Sequence, residues 1–265
     1  MRKRYYYLIK FQFLGFRYHG WQKQPDVKTV EEKITKTIRF ILKDTIRFKI
    51  LGASRTDAKV SGMNAAFELF LEEKPLDSIN TFLMELNSNL PPDIKANSIL
   101  EVNNKFNIIQ SVETKEYVYL FSFGSKNHPY AAPYLANILE PLDIDLMIKG
   151  AKLFEGQHYF RSYCGRPTDD MNFDRELLSC ELLPNSFLKA DFFPDKSYAL
   201  HVRGKGFLRY QIRLIMGALI KLGKGEVDLD FIKASLKKNN ALKIDLVAPA
   251  SGLHLKAIKF DESSF

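Results

Sequence analysis

Apolar and polar side chains alternate along the start of the chain. In RYYYLIKFQF, residues 4–13, every second position is aromatic or aliphatic, which places those side chains on one face. Strict alternation of this kind predicts a β-strand. The same pattern returns in KEYVYLFSF, residues 115–123, with Tyr117 and Tyr119 on one face. We therefore predict two aromatic-rich strands, one in each half of the chain.

Helical spacing follows the first strand. Val30, Ile34 and Ile38 are apolar and four residues apart, and Thr29 with Glu32 forms a capping box ahead of them. We predict a helix here, and further helices at 79–90, 143–154, 207–222 and 228–238. Extended segments are predicted at 46–51, 64–71, 94–102, 106–111, 174–183, 197–203 and 253–260. Because these elements do not follow a regular βαβ order, the pattern favours an antiparallel α+β fold.

The length of 265 residues lies near the size at which one hydrophobic core divides into two. Both halves place strands around a long helix, which indicates two similar lobes. We predict an N-terminal lobe of residues 1–108 and a C-terminal lobe of residues 109–265.

Composition narrows the class of protein. The hydrophobic fraction is 46%, with 21 Phe and 12 Tyr, which argues against disorder. No apolar run approaches the roughly 20 residues that span a bilayer, and the N-terminal residues lack the apolar core of a signal peptide. We expect a soluble cytoplasmic protein that does not bind a membrane.

The charge balance points to a polyanionic partner without proving one. Lys and Arg number 39 against 31 Asp and Glu, for a formal charge of +8. Nucleic acid is one interpretation of this excess, and an ordinary basic surface is the other.

The sequence lacks the motifs that bind a metal ion or a nucleotide cofactor. The two cysteines form no CxxC pair and the five histidines have no ligand spacing, so we expect no metal. Gly204 and Gly206 lack the third glycine of a dinucleotide fingerprint, and no Walker lysine occurs, so we expect no nucleotide cofactor.

One carboxylate lies in a conspicuous loop. GASRTDAKVSG, residues 52–62, places Asp57 between two predicted strands, with Arg55 before it and Lys59 after it. An aspartate among Gly, Ser and Thr usually stabilises a turn. The alternative is that the loop presents Asp57 to a substrate, and the loop sequence alone leaves both interpretations open.

Five stretches in order resemble the tRNA pseudouridine synthase A family: FLGFRYHGWQKQP, GASRTDAKVSG, KEYVY, GKGFLRYQIRLIMGAL and APASGLHL. The resemblance runs from about residue 5 to residue 260. It implies two pseudo-symmetric lobes whose antiparallel sheets join across a basic central cleft, with helices on the outer face. It also implies that uridine in the tRNA anticodon stem-loop is converted to pseudouridine without metal or cofactor, by a homodimer.

The same resemblance assigns roles to four residues. Asp57 matches the catalytic aspartate, which either attacks C1′ of the ribose or removes a proton from C2′. Arg213 matches the arginine that pairs with this aspartate, and Tyr117 the tyrosine that packs on the target base. Arg55 matches an arginine that fills the space of the flipped base or holds its phosphate.

Five positions depart from the family pattern. Lys59, Ser61 and Gly62 stand where the family has Gly, His and Ala, Ile109 stands where an arginine is expected, and Tyr159 where an acidic residue is expected. The groups that would carry the reaction remain. The departures leave two alternatives: a synthase redirected to another RNA, or a non-catalytic tRNA-binding or tRNA-folding protein on the same scaffold.

Overall fold

A computed structural model describes residues 3–43, 45–238 and 242–265. The strands are β1 (Arg4–Phe13), β2 (Phe48–Gly52), β3 (Ser61–Glu72), β4 (Ile94–Val102), β5 (Val112–Phe123), β6 (Ala136–Ile138), β7 (Gly156–Tyr159), β8 (Asp174–Pro184), β9 (Tyr198–Gly204) and β10 (Leu253–Phe260). The helices are α1 (Val30–Ile41), α2 (Ile79–Asn89), α3 (Ile144–Lys152), α4 (Gln211–Gly223) and α5 (Leu229–Ser235). The chain divides into two compact units, Met1–Glu113 with Leu255–Phe265, and Thr114–His254.

The first unit is built on a sheet of strand order β4-β1-β3-β10, with β2 also paired to β3. β1 is antiparallel to both β3 and β4, and β2 is antiparallel to β3. An aromatic cluster lies in the core of this unit, where the ring of Phe11 is 5.4 Å from Phe67 and 5.5 Å from Trp21. Trp21 is thereby buried, and it anchors the loop that follows β1.

In the second unit the strand order is β5-β9-β8-β7, all antiparallel, and the short β6 runs parallel to β5. α4 is buried along almost its whole length. Mostly antiparallel strands with helices packed on them confirm the predicted α+β class. No helix in the described part of the chain is long and apolar enough to cross a membrane.

Most predicted elements are present. β1 has the predicted bounds, and the Thr29 hydroxyl accepts a hydrogen bond from the Glu32 amide at the start of α1. The extended segment predicted at 106–111 is wrong. The side-chain oxygens of Asn103 and Asn107 accept backbone amide hydrogen bonds from the residues that follow them, and these bonds fold the segment into turns.

The helix predicted at 207–222 begins later, at Gln211. Tyr210 has a left-handed backbone, with φ of 62°, which no helical residue adopts. The Leu208 amide donates instead to the Gln211 side-chain oxygen at 2.7 Å, and the Gln211 amide donates to the Leu208 carbonyl at 3.1 Å, so residues 208–211 form a turn that leads into α4.

Candidate active site

Asp57 lies in the connection between β2 and β3. The Val60 amide donates to the Asp57 carbonyl at 3.2 Å and closes a turn over residues 57–60. The third residue of this turn, Lys59, has φ of 67°, and its amide donates to the Tyr18 carbonyl at 3.0 Å. The backbone after Asp57 is therefore fixed by one turn and by one contact to a neighbouring loop, while the Asp57 residue itself is half-buried.

The backbone before Asp57 is held by the loop that contains Trp21. The Trp21 amide donates to the Thr56 carbonyl at 3.1 Å. Gly20 has φ of +88°, and a Cβ there would lie 2.3 Å from the Thr56 oxygen. Only glycine combines this conformation with so close an approach. The Gly20–Trp21 pair is thus a physical support for the aspartate loop.

Lys59 occupies a position that favours glycine. A side chain in the left-handed region costs about 1–2 kcal/mol, because Cβ crowds the carbonyl oxygen. The ammonium group of Lys59 lies 5.7 Å from the centre of the Phe16 ring, a cation–π contact that offsets part of this cost. The departure at residue 59 is therefore a strained but partly compensated substitution.

Ser61 and Gly62 have structural roles next to the site. The Ser61 hydroxyl is buried and accepts a hydrogen bond from the Gly15 amide at 2.9 Å. At residue 62, a Cβ would lie 2.5 Å from the ring of Phe13. These two departures fit a tight junction between β3 and the loop that follows β1.

Arg213 lies in the first turns of α4, in the second unit. Its Nε donates to the Ala248 carbonyl at 2.8 Å, and the Ala248 amide donates to the Arg213 carbonyl at 3.1 Å. The Tyr119 hydroxyl donates to the next carbonyl, that of Pro249, at 2.7 Å. Residues 248–249 therefore link α4 to β5 and fix the direction of the Arg213 side chain.

Tyr210 contacts the Arg213 side chain, a neighbour that the sequence analysis did not identify. Its ring contacts two guanidinium groups, with the Cζ atoms of Arg209 and Arg213 at 4.9 Å and 5.0 Å from the ring centre. The ring packs on Gly165, where a Cβ would lie 2.5 Å from it. Periodicity indicates one continuous helix through this segment, so no sequence signal identifies the left-handed tyrosine that separates the two arginines.

Tyr117 lies on β5 opposite Val202 and is 6% exposed. Its ring meets that of Phe207 edge to face, with 5.3 Å between centres. Two residues earlier, burial lowers the pKa of Lys115 to about 8.

Arg55 is exposed, in the same loop as Asp57.

The described residues contain no group of three or more His, Cys, Asp or Glu side chains that could hold a metal ion.

Of the four residues assigned by resemblance, Asp57 and Arg55 share the first unit, and Tyr117 and Arg213 share the second. The pairing of Asp57 with Arg213 stays a prediction.

Comparison with known proteins finds relatives in the family that the sequence motifs resemble. A sequence model for the family described as tRNA pseudouridine synthase matches residues 151–261. A tRNA pseudouridine synthase A from Hydrogenobaculum sp. (strain Y04AAS1) is 30% identical, over 96% of this chain and 99% of the relative. The tRNA pseudouridine synthase A from Dictyoglomus thermophilum is 29% identical, over 95% of this chain and 98% of the relative. A solved Cbf5-Nop10-Gar1 complex matches with 15% identity and a TM-score of 0.33, over 84% of this chain and 55% of that chain.

The two sequence relatives identify the chain as a pseudouridine synthase. It belongs to the tRNA pseudouridine synthase A family.

Proposed function

We propose that the protein converts uridine to pseudouridine in the anticodon stem-loop of tRNA and that Asp57 is its catalytic carboxylate. The supporting observation is the loop geometry: Thr56 and Lys59, on either side of Asp57, are each held by a backbone hydrogen bond to the loop that follows β1. Such fixation aims a carboxylate before substrate arrives, which is how enzymes lower the cost of orientation.

Two routes for Asp57 are chemically balanced. In one, a carboxylate oxygen bonds to C1′ as the N1–C1′ bond breaks, and the bond to C1′ is later replaced by one to C5 of the rotated base. In the other, Asp57 removes the C2′ proton as the N1–C1′ bond breaks, gives a glycal, and returns the proton when C5 bonds to C1′. In both, the base leaves as an anion; at the end C5 loses its proton to solvent and N1 takes one up, and Asp57 has to be ionised at the start.

Arg213 would keep Asp57 ionised. A guanidinium beside a carboxylate favours the charged form by opposite charge and by paired hydrogen bonds. Because the Nε of Arg213 donates to Ala248, the terminal nitrogens are the groups that would meet Asp57. This role needs a fixed guanidinium, which the contacts with Ala248 and Tyr210 provide.

Tyr117 and Arg55 complete the proposal. The ring of Tyr117, held by Phe207, would pack against the flipped uracil, while the exposed Arg55 would fill the vacated stack or hold the phosphate. We assign the aspartate loop to a lobe of residues 1–108 and the completing groups to residues 109–265. We further propose a cytoplasmic homodimer that needs no metal or cofactor.

The test compares wild type with Asp57→Asn on unmodified total tRNA, with pseudouridine mapped by chemical adducts and reverse-transcription stops. Stops in the anticodon arm that appear with wild type only would support the proposal. Asp26→Asn is the matched control, since Asp26 is an exposed aspartate of the neighbouring loop and should remain fully active. Stops only in ribosomal or messenger RNA would indicate a redirected synthase, and bound RNA without any stops a non-catalytic protein.

A further inference from the structure

A cavity of about 620 Å³ lies in the first unit, at the end of β2 remote from Asp57. Four cationic residues line it, Arg4, Arg39, Arg47 and Lys49, together with the aromatic rings of Phe48 and Phe70. Phe48 and Gly52 are the ends of β2, and four residue steps of a strand cover about 13 Å. The cavity is therefore separate from the loop that carries Asp57.

The strand register places a pair of aromatic residues side by side on the sheet next to this cavity. Lys49 of β2 is opposite Phe70 of β3, and Phe70 is opposite Tyr6 of β1. The rings of Tyr6 and Phe70 meet edge to face, with 5.7 Å between centres. A cation next to partly exposed rings on a sheet face is the arrangement on which single-stranded RNA bases stack.

The charges of the cavity are unbalanced in favour of an anion. One carboxylate lines it, that of Glu72, and it already lies 3.6 Å from Arg4. In the part of the chain that the structure describes, the exposed side chains of Arg47 and Lys49 make no hydrogen bond or ion pair. Exposed cations also protect an edge strand such as β2 from aggregation, but that role does not require aromatic rings beside them.

We propose that this cavity, the β2 pocket, binds an unpaired nucleotide of the substrate RNA at a distance from the target uridine. The base would stack on Phe70, and the flanking phosphates would contact Arg47 and Lys49. The inference rests on the proposed function only in that the substrate is RNA. Since stacked nucleotides rise about 3.4 Å each, the β2 pocket would take a nucleotide at least about four positions from the uridine at Asp57.

The test measures binding of an unmodified tRNA transcript over a range of salt concentrations. Arg47→Gln with Lys49→Gln removes two charges, and two lost phosphate contacts lower the log–log salt slope by about 1.4 for single-stranded RNA. Phe70→Leu keeps an apolar side chain but removes the stacking face, so affinity should fall at least about fivefold with the slope unchanged. The matched control, Lys189→Gln with Lys196→Gln, removes two exposed lysines of the second unit and should leave the slope as it is.

Turnover at saturating RNA should stay at the wild-type value in all these variants, because none of them changes the aspartate loop. Wild-type affinity and slope in the Arg47/Lys49 variant, or an equal loss in the control, would overturn the β2 pocket. If the wild type forms no pseudouridine, yet the variants lose RNA binding as stated, the proposed function would be overturned and the pocket supported. No RNA binding by wild type would overturn both.

Discussion

The guanidinium of Arg213 lies 5.0 Å from the centre of the Tyr210 ring, which also contacts the guanidinium of Arg209, and the backbone of Tyr210 is left-handed. A bulky residue with positive φ is rare and strained, so it persists only where its surroundings demand it. Here the surroundings are Gly165 beneath the ring and the hydrogen bond from the Gly165 amide to the Arg209 carbonyl, 2.8 Å long. The ring contact and the hydrogen bond from Nε to the Ala248 carbonyl together hold the Arg213 side chain in one direction.

Tyr210→Asn should therefore lower kcat by about tenfold and leave KM nearly unchanged, because a cation–π contact contributes about 0.5–2 kcal/mol. Asparagine tolerates the left-handed conformation, so this variant removes the ring without changing the backbone. Tyr210→Phe keeps the ring and should retain activity within about threefold. Steady-state kinetics on a tRNA transcript measure both; an Asn variant as active as wild type would contradict the positioning role of the ring.

Lys59→Gly should stabilise the protein by about 0.5–1 kcal/mol, since it relieves left-handed strain at the cost of some chain entropy. Lys59→Ala is the control that removes the charge but keeps Cβ, and it should bring no such gain. The free energy of unfolding from urea titration gives the comparison. Equal stability of Lys59→Gly and Lys59→Ala would show that the backbone at residue 59 stores no strain.

Glu68 makes the stability of the folded protein depend on pH. The residue is 1% exposed, and burial raises the pKa of its carboxyl to about 7, although the Ile108 amide donates to it. The folded state therefore binds more protons than the unfolded state between pH 4.5 and about 7, and stability falls as the pH rises through this window. Glu68→Gln should flatten the fall and raise stability at pH 8 by about 1–3 kcal/mol.

Thermal unfolding of wild type and Glu68→Gln from about pH 4.5 to about pH 8 would measure this difference. Asp77→Asn, a change at an exposed carboxylate of the same unit, is the control and should follow wild type. Parallel curves for wild type and Glu68→Gln would contradict a raised pKa at Glu68.

The sequence predicts what local patterns determine. β1 and α1 follow from alternation and from the Thr29 cap, both of which act within a few residues. The start of α4 does not, because it depends on Gly165, which lies 45 positions before Tyr210 and accommodates its ring. Side-chain capping by Asn103 and Asn107 likewise replaced a strand that apolar residues favour.

In the candidate site, too, some features could be predicted from the sequence and others could not. Asp57 could be located by its motif, and its position between two strands was predicted. The left-handed conformation of Lys59 and the close approach of Gly20 to Thr56 were not, since each depends on backbone packing between two loops. Family resemblance predicts which residues form the site, and the structure shows how the backbone around Asp57 is held.

The proposed reaction depends most on Asp57, the carboxylate that would start the isomerisation. When C5 bonds to C1′, the C5 proton is lost, so tRNA labelled with tritium at C5 of uridine releases tritium on each turnover. Single-turnover release with enzyme in excess should be complete for wild type and absent for Asp57→Asn, which should still bind the tRNA within a few-fold of wild type. Release by Asp57→Asn at the wild-type rate would contradict the catalytic role of Asp57.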